Sequence, residues 1–549
     1  MKESATPSSR MLQGAFILVL AAVLSKLIGT IQKIPLQNMG GDGVFGIYNA
    51  VYPFYTLVLL VATAGFPAAV SKFVAEEMAS GNPAGARRVM RLSSLLLMVL
   101  GVVCGVFMYV AAPLLADWID NKHTELAIRS AALALPLVPI MAGLRGYFQG
   151  LHDMVPTAVS QVTEQTIRVA AMVVLLVILN QYGASDDWIA AGATFGSAAG
   201  GAAGLIVMLI YWWIHQRRSR LAAVDTAVKV TLPVTEKEPA WPLFKALLLY
   251  ALPVCLGSLS APLISLVDTF TVPRLLKGTG WSESEAMIQF GIYNRGIPLV
   301  QLLAMLATSM SVLFIPALAE ARVRQRMDLI RSQTQQTVNW FWLLGLASSV
   351  GIAVLAVPVD ITLYQDDAGS TAIRWLAFTG IGATLSIVTA AMLQGMGSVR
   401  APAVHLLLST VVKAVLNILL VPLYGINGAA IAGIVAYSLA AVLNILLLAR
   451  LTRFSLSWRD LLLKPLFVTL IMGLCVVGWM WAAGAMMDRM YIHPRMEALV
   501  VTLGGVVIGG VVFLIGLFRT RLMTEEQALA LPKVGDKLVK LLRTMRIMG

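Results

Sequence analysis

Seven basic side chains of this 549-residue chain lie in or beside stretches that are otherwise apolar: Lys26, Lys33, Arg168, Lys245, Arg295, Arg374 and Lys413. Two acids, Glu164 and Asp268, share that setting. A charge at the centre of a bilayer costs about 3 kcal/mol or more if it faces lipid, so each central charge is expected to face a partner or a wet cavity. Lys245 and Arg374 fall near the ends of their stretches, where a long side chain reaches water. Lys26 and Lys33 are seven residues apart, which predicts one helix face about two turns apart. In SKLIGTIQKIP, Gly29 and Pro35 weaken the helix beside that face. Arg295 directly follows the pentapeptide FGIYN at 290–294, which also occurs at 45–49. A cavity lined by Lys26, Gln32, Lys33, Arg295 and the pentapeptide asparagines Asn49 and Asn294 would be cationic and suit an anionic headgroup. Glu164 and Arg168, four residues apart, are spaced for an intrahelical ion pair. Asp268 and Lys413 are lone opposite charges, expected to pair and to place an ammonium where a coupling cation would otherwise sit.

None of this is the chemistry of an enzyme. The five histidines are scattered, and the chain has no Walker A loop, no GxSxG, no HExxH and no carboxylate pair at ligand spacing. No catalytic residue, metal or cofactor is expected. Energy input is expected from the membrane potential or a Na+/H+ gradient.

The elements that position these charges follow from composition. Hydrophobic residues make up 58% of the chain and charged residues 13%, and the mean hydropathy is +0.81. A soluble domain carries about a quarter charged residues, so the chain reads as a membrane protein. Fourteen apolar runs, each near the roughly 20 residues that cross a bilayer, are expected as helices: 11–33, 46–71, 92–116, 126–147, 155–180, 188–214, 242–273, 288–318, 338–358, 371–393, 402–422, 427–449, 461–485 and 497–518. The first run is long, carries two lysines and lacks a small-residue cleavage site, so no cleavable signal peptide is expected. Cys104, Cys255 and Cys475 all lie in apolar runs, which argues against a disulfide framework.

The net charge of +13 is topological rather than a sign of nucleic acid. Of 41 Lys and Arg, 28 fall in the N-terminus, 72–91, 145–155, 215–241, 319–336, 395–401, 450–464 and 519–549. The alternate loops hold six: Lys122, Arg129, Arg274, Lys277, Arg489 and Arg495. This bias predicts an even number of spans with both termini cytoplasmic.

The repeated pentapeptide belongs to a longer repeat. Gln149-Gly150 returns as Gln394-Gly395 at the same offset of 245, and Tyr182-Gly183 returns as Tyr424-Gly425. Ala191-Gly192 returns as Ala432-Gly433. Helices 1–6 and 7–12 therefore read as two copies of one unit. Six spans per copy return the chain to the same side, which makes the copies parallel, an architecture of transporters that alternate access between bundles. The expected fold is an all-α polytopic membrane protein of about fourteen helices: an N-lobe at 1–214, a cytoplasmic linker at 215–241, a C-lobe at 242–450, and two further helices within 451–518. The segment 519–549 is expected as a basic amphipathic tail on the anionic inner surface.

These stretches resemble a known group. SKLIGTIQKIPL, FGIYN with AGFPAAVSKFVAEE, FGIYNRGIPLVQLLAMLATSMSVLFIPALAEA, LQGMGSVRAP and VPLYGINGAAIAG are similar, in order and spacing, to the multidrug/oligosaccharidyl-lipid/polysaccharide flippase superfamily. Within it the chain looks like the bacterial lipid II flippases and the branch that includes stage V sporulation protein B. The resemblance implies a secondary transporter of the bacterial cytoplasmic membrane that moves an undecaprenyl-pyrophosphate-linked saccharide, foremost the peptidoglycan precursor lipid II, from inner to outer leaflet. It implies membrane lipids and cell-wall synthesis machinery as neighbours, a monomer as the working form, and roles in wall growth, cell shape or sporulation. Lys26 matches the family's basic residue in a Ser-Arg-x-x-Gly pattern, and Arg295 its basic residue on helix 8. The chain departs where many members carry Arg-Asp and it has Gln32-Lys33, and YPFYTLVLL has no counterpart of the family's helix 2 arginine.

Three other readings compete. A flippase for a capsule, teichoic or O-antigen type glycan shares every feature above. A multidrug or cation antiporter of the same superfamily calls for acids facing its cavity and twelve spans. A membrane glycosyltransferase calls for large outer loops with catalytic carboxylates, where this chain offers ASDDW and YQDDAG.

Overall fold

The computed structural model describes residues 7–63, 65–225, 240–454, 462–487 and 493–523, and these form helices joined by turns, with no β-strand. The chain is an all-α polytopic membrane protein. Ten helical stretches among the described residues are long and apolar enough to cross a membrane. Several of the fourteen expected spans are interrupted helices, and the interruptions have local causes. The chain divides into two compact units, Met1–Gly291 and Ile292–Gly549.

The first unit runs α1 (Pro7–Ile31), α2 (Lys33–Thr63), α3 (Phe66–Ala79), α4 (Pro83–Val110), α5 (Ala112–Ile119), α6 (Thr124–Ala132), α7 (Val138–Gly150), α8 (Val155–Gln181), α9 (Asp186–Asp225) and α10 (Ala240–Gly278), then most of α11 (Glu283–Asn294). Gly41, with φ 74° and ψ 176°, interrupts α2. Gly65, at φ 81°, separates α2 from α3, and a side chain there would meet the Ala251 backbone of α10. That close approach, together with a core of Phe66, Leu97 and Ala251, holds α10 against α2, α3 and α4. The first compact unit therefore extends beyond the expected lobe boundary at 214. The segment 226–239 of the expected linker and 524–549 of the expected tail lie outside the described residues.

The second unit holds α12 (Ile297–Val323), α13 (Met327–Val354), α14 (Ala356–Tyr364), α15 (Ser370–Gly395), α16 (Arg400–Tyr424), α17 (Ile426–Thr452), α18 (Lys464–Met487) and α19 (Pro494–Arg519). Its core gathers Phe341 of α13, Met392 and Leu393 of α15, and Leu448 of α17. Pro298 falls in the first turn of α12, where its missing N–H costs nothing, and the chain turns at Arg295–Gly296.

The sequence repeats mark equivalent helix ends in each unit. Gln149-Gly150 closes α7 and Gln394-Gly395 closes α15. Tyr182 caps α8 and Tyr424 closes α16, each followed by a glycine at positive φ, Gly183 at 65° and Gly425 at 57°. The two pentapeptide glycines serve close packing inside the first unit. A side chain at Gly46 would collide with the Met287 carbonyl, and one at Gly291 with the Asp42 carbonyl.

Candidate functional site

A stripe of small residues on α9 sets the geometry of the buried charges. Gly196, Gly200 and Gly204 recur every fourth residue, and any side chain at Gly196 or Gly200 would strike the backbone carbonyl of Arg168 or Glu164 on α8. Small residues at this spacing let two membrane helices approach closely. The Ser160 hydroxyl donates to the Gly204 carbonyl at 3.0 Å, which fixes the register. Glu164 and Arg168 are thereby held inside the unit, both buried.

The expected pair is there, and it is larger than expected. The Arg168 guanidinium lies 3.0 Å from Glu164 Oε1, and Arg145 of α7 lies 2.9 Å from Glu164 Oε2. Arg145 also donates to Ser160 Oγ at 2.8 Å. The sequence reading assigned Arg145 to an inner loop; it sits within α7 with a side chain only 15% exposed. One carboxylate shared by two guanidiniums leaves the triad with one excess positive charge. Tyr48, Tyr52 and Tyr55 of α2 lie within electrostatic reach of Arg168. Tyr48 and Tyr52 stack with centroids 5.6 Å apart, and Tyr52 and Tyr55 follow at 6.1 Å. Their i, i+4, i+7 spacing was legible as one helix face, and the sequence reading passed over it.

Beside this cluster lies the junction of α1 and α2. Gln32 is the residue between the two helices, and its amide donates to the Tyr48 hydroxyl at 3.2 Å. Gln32 Oε1 is buried with no protein partner. Lys33 opens α2 at 6% exposure and forms no ion pair among the described residues. Lys26, by contrast, is exposed on α1. The two lysines expected to share a face and an environment are thus separated by burial, with the helix break at Gln32 between them. Gly29 packs α1 against Gln165 of α8, so the junction and the triad belong to one neighbourhood.

Arg295 corrects the expected cavity lining. Its side chain is fully buried and paired with Asp360 at 3.3 Å and Asp366 at 2.6 Å. The Tyr364 hydroxyl donates to the Arg295 carbonyl at 3.0 Å, and the guanidinium lies over the Tyr364 ring. Two carboxylates neutralise the cation, so Arg295 braces the α11–α12 turn against α14 and is not free for a headgroup. Burial pushes the Asp360 carboxyl up to about 6 against the pull of Arg295. Burial also opposes ionisation of Asp366, but hydrogen bonds from Arg295 and the Ala368 amide outweigh it and hold that carboxyl below its ordinary range. Neither aspartate was connected to Arg295 by the sequence reading.

The remaining expectations resolve individually. The Asn49 amide is spent on the Phe45 carbonyl at 2.8 Å, within its own helix. Asn294 is buried at the end of α11. Asp268 of α10 and Lys413 of α16 are both buried, one in each compact unit. The three cysteines are free thiols.

Similarity to known proteins agrees with this architecture. Residues 11–322 match the family described as polysaccharide biosynthesis protein. The uncharacterized membrane protein YabM of Bacillus subtilis (strain 168) is 33% identical over 97% of this chain and 96% of its own. The lipid II flippase MurJ of the same organism is 30% identical over 96% of this chain and 98% of its own. A solved structure of lipid II flippase MurJ in an inward closed conformation superposes with a TM-score of 0.63, at 13% identity, over 93% of this chain and all of that one. On the strength of its helical architecture and these matches, the chain belongs to the polysaccharide biosynthesis protein family, within the multidrug/oligosaccharidyl-lipid/polysaccharide flippase superfamily.

Proposed function

We propose that the protein is an alternating-access flippase that carries an undecaprenyl-pyrophosphate-linked saccharide, with lipid II as the substrate, from the inner to the outer leaflet of the cytoplasmic membrane. The observation that carries this reading is Lys33: a buried ammonium with no anionic partner among the described residues, beside a triad with its own excess positive charge. Burying an unpaired cation is costly, and the cost is offset when a ligand supplies the missing anion. A pyrophosphate is such an anion. Gln32 and Tyr48 stand beside Lys33 to hydrogen-bond the phosphate oxygens or the first sugar. The name and near full-length match of the B. subtilis flippase support the substrate class. The loop charge bias supports cytoplasmic termini. Movement of the cationic site within the membrane potential, or a Na+/H+ gradient, would supply the drive, since each charge is worth about 2.3 kcal/mol per 100 mV.

The test is leaflet accessibility of lipid II in cells depleted of this protein and of redundant flippases. Wild type restores outer-leaflet lipid II, and Lys33→Ala does not. Unchanged outer-leaflet lipid II on depletion would transfer the assignment to another polyprenyl-linked glycan.

A further inference from the structure

Arg295 is one guanidinium between two carboxylates, and their shares are unequal. Asp366 takes it bidentately, at 2.6 Å from one terminal nitrogen and 3.1 Å from the other. Asp360 receives a single contact of 3.3 Å, from the nitrogen already bonded to Asp366. The Arg295 and Asp360 side chains are fully buried, whereas that of Asp366 is 51% exposed. With both acids ionised the cluster carries one excess negative charge, and that charge falls on the buried member. A buried carboxylate without a cation of its own is costly, and a proton removes the cost.

Among the described residues, the elements packed on α14 bring Asp360 no second cation. The α13 charges, Asp328 and Arg331, lie at its opposite end. Asp367 and Arg374 are exposed. Arg495 of α19 donates to the Thr362 carbonyl at 3.0 Å, and Glu497 beside it adds a further negative charge. The Tyr364 hydroxyl is engaged with the Arg295 carbonyl. A metal cation does not fit either, because the Asp360 oxygens already face donors: Arg295, the Ser370 hydroxyl at 3.2 Å and the Gly369 N–H. Gly369 closes the site, since a side chain there would meet Arg295 and both Asp360 oxygens.

A proton fits. The buried Ser370 hydroxyl donates to Oδ2 of the carboxylate and, turned about its own C–O bond, accepts from the acid, so both states keep the same heavy-atom positions. The upward shift of the Asp360 carboxyl agrees with the charge count. Half-exposed Asp366 connects the cluster to solvent in the α14–α15 connection, which the charge bias assigns to the outer face. We propose that Asp360 binds a proton from the outer medium, and that this proton tightens the Arg295 brace and slows export; the second half rests on the flippase reading above. With Asp360 neutral, Arg295 and Asp366 are a balanced pair that holds the α11–α12 turn on α14. With Asp360 ionised, two anions compete for one cation and the turn loosens. The proton is taken from the outer water and returned to it.

The experiment uses the purified full-length chain in sealed proteoliposomes of one orientation, with the pH set separately on each side. Infrared difference spectra read the C=O stretch of protonated carboxyls, and exposed carboxylates are mostly ionised above about pH 5. As the outer pH rises from about 5 to about 7, wild type loses one acid band with a midpoint of about 6, a fall of about tenfold in the acid form. Asp360→Asn lacks that band. Asp366→Asn, which leaves Arg295 to Asp360 alone, moves the midpoint down by at least about one pH unit, a shift that a merely structural Asp360 would not give. Export at fixed membrane potential rises at least about twofold over the same window in wild type and stays at the low rate in Asp360→Asn. A band that persists in Asp360→Asn, follows the inner pH, or is removed by added Na+ at constant pH overturns the proton site. A titrating band with export indifferent to outer pH overturns the control of export alone. No export by wild type at any pH would sink the flippase reading, and the infrared titration would still decide the proton site.

Discussion

Replacing Glu164 with Gln removes the one acid that holds Arg145 and Arg168 together. Both guanidiniums then remain where they are, because α7, α8 and the glycine stripe of α9 fix their backbones. The Arg168 side chain is 8% exposed and Arg145 15%, so neither can hydrate fully. Breaking a buried ion pair by removing one partner costs about 3–5 kcal/mol. Two pairs are broken here, but the partial exposure of Arg145 offsets part of the second loss, so about 3–5 kcal/mol is the expected total. The assay is reversible unfolding in mixed micelles, followed by tryptophan fluorescence. The double variant Glu164→Leu/Arg168→Met isolates the cause. It removes the Glu164–Arg168 pair and leaves Arg145, the more exposed guanidinium, as the one unpaired charge, so it is expected to recover the share of the loss that came from Arg168, since apolar replacement of a buried pair is often neutral. A Glu164→Gln loss below about 1 kcal/mol, the scale of an exposed pair, would refute the buried triad. A double variant no better than the single would show that the cost arises from something other than unpaired charge.

Two more predictions follow from particular contacts. Gly46→Leu drives a side chain into the Met287 carbonyl and is expected to destabilise the protein by about 1–3 kcal/mol, as overpacking does; an unfolding midpoint equal to wild type would contradict that contact. Asp360 gives a pH dependence of definite sign. Its folded value of about 6 lies above its unfolded 3.8, so its contribution is full below about pH 4 and lost as pH rises through 6. Asp366 shifts the opposite way and acts only at the acid end, where its stabilisation is lost as pH falls below its ordinary range. Between pH 5 and 7 the midpoint of wild type is therefore expected to fall relative to that of Asp360→Asn, and a relative rise would refute the assignment.

The membrane class, the helical repeats and the candidate charges were all legible in the sequence, because each rests on local composition or spacing. Glu164–Arg168 is a four-residue spacing, and the sequence sufficed for it. Lys33 was singled out correctly as an interior charge, but its pairing with Lys26 on one face assumed a single environment along the helix. The α1–α2 junction at Gln32 buries one lysine and leaves the other exposed. Arg295 looked free because its partners lie 65 and 71 residues further along the chain. Arg145 looked like a loop charge because α7 is a short helix behind Pro136 and Pro139, and no apolar run ends cleanly there. Long-range neutralisation of a charge leaves no periodic trace in sequence, so the substrate-facing cations could be nominated but not separated from the structural ones.

The central claim is that Lys33 carries the headgroup of a translocated lipid. The direct measurement reconstitutes the purified protein in liposomes under a membrane potential, with fluorescent lipid II in the inner leaflet, and follows its appearance outside with an impermeant quencher. Wild type is predicted to export the lipid, Lys33→Gln to lose at least about tenfold of that rate, the scale of one charge-assisted contact, and Arg295→Lys to retain it where the protein remains folded. Export by Lys33→Gln at the wild-type rate would contradict the account.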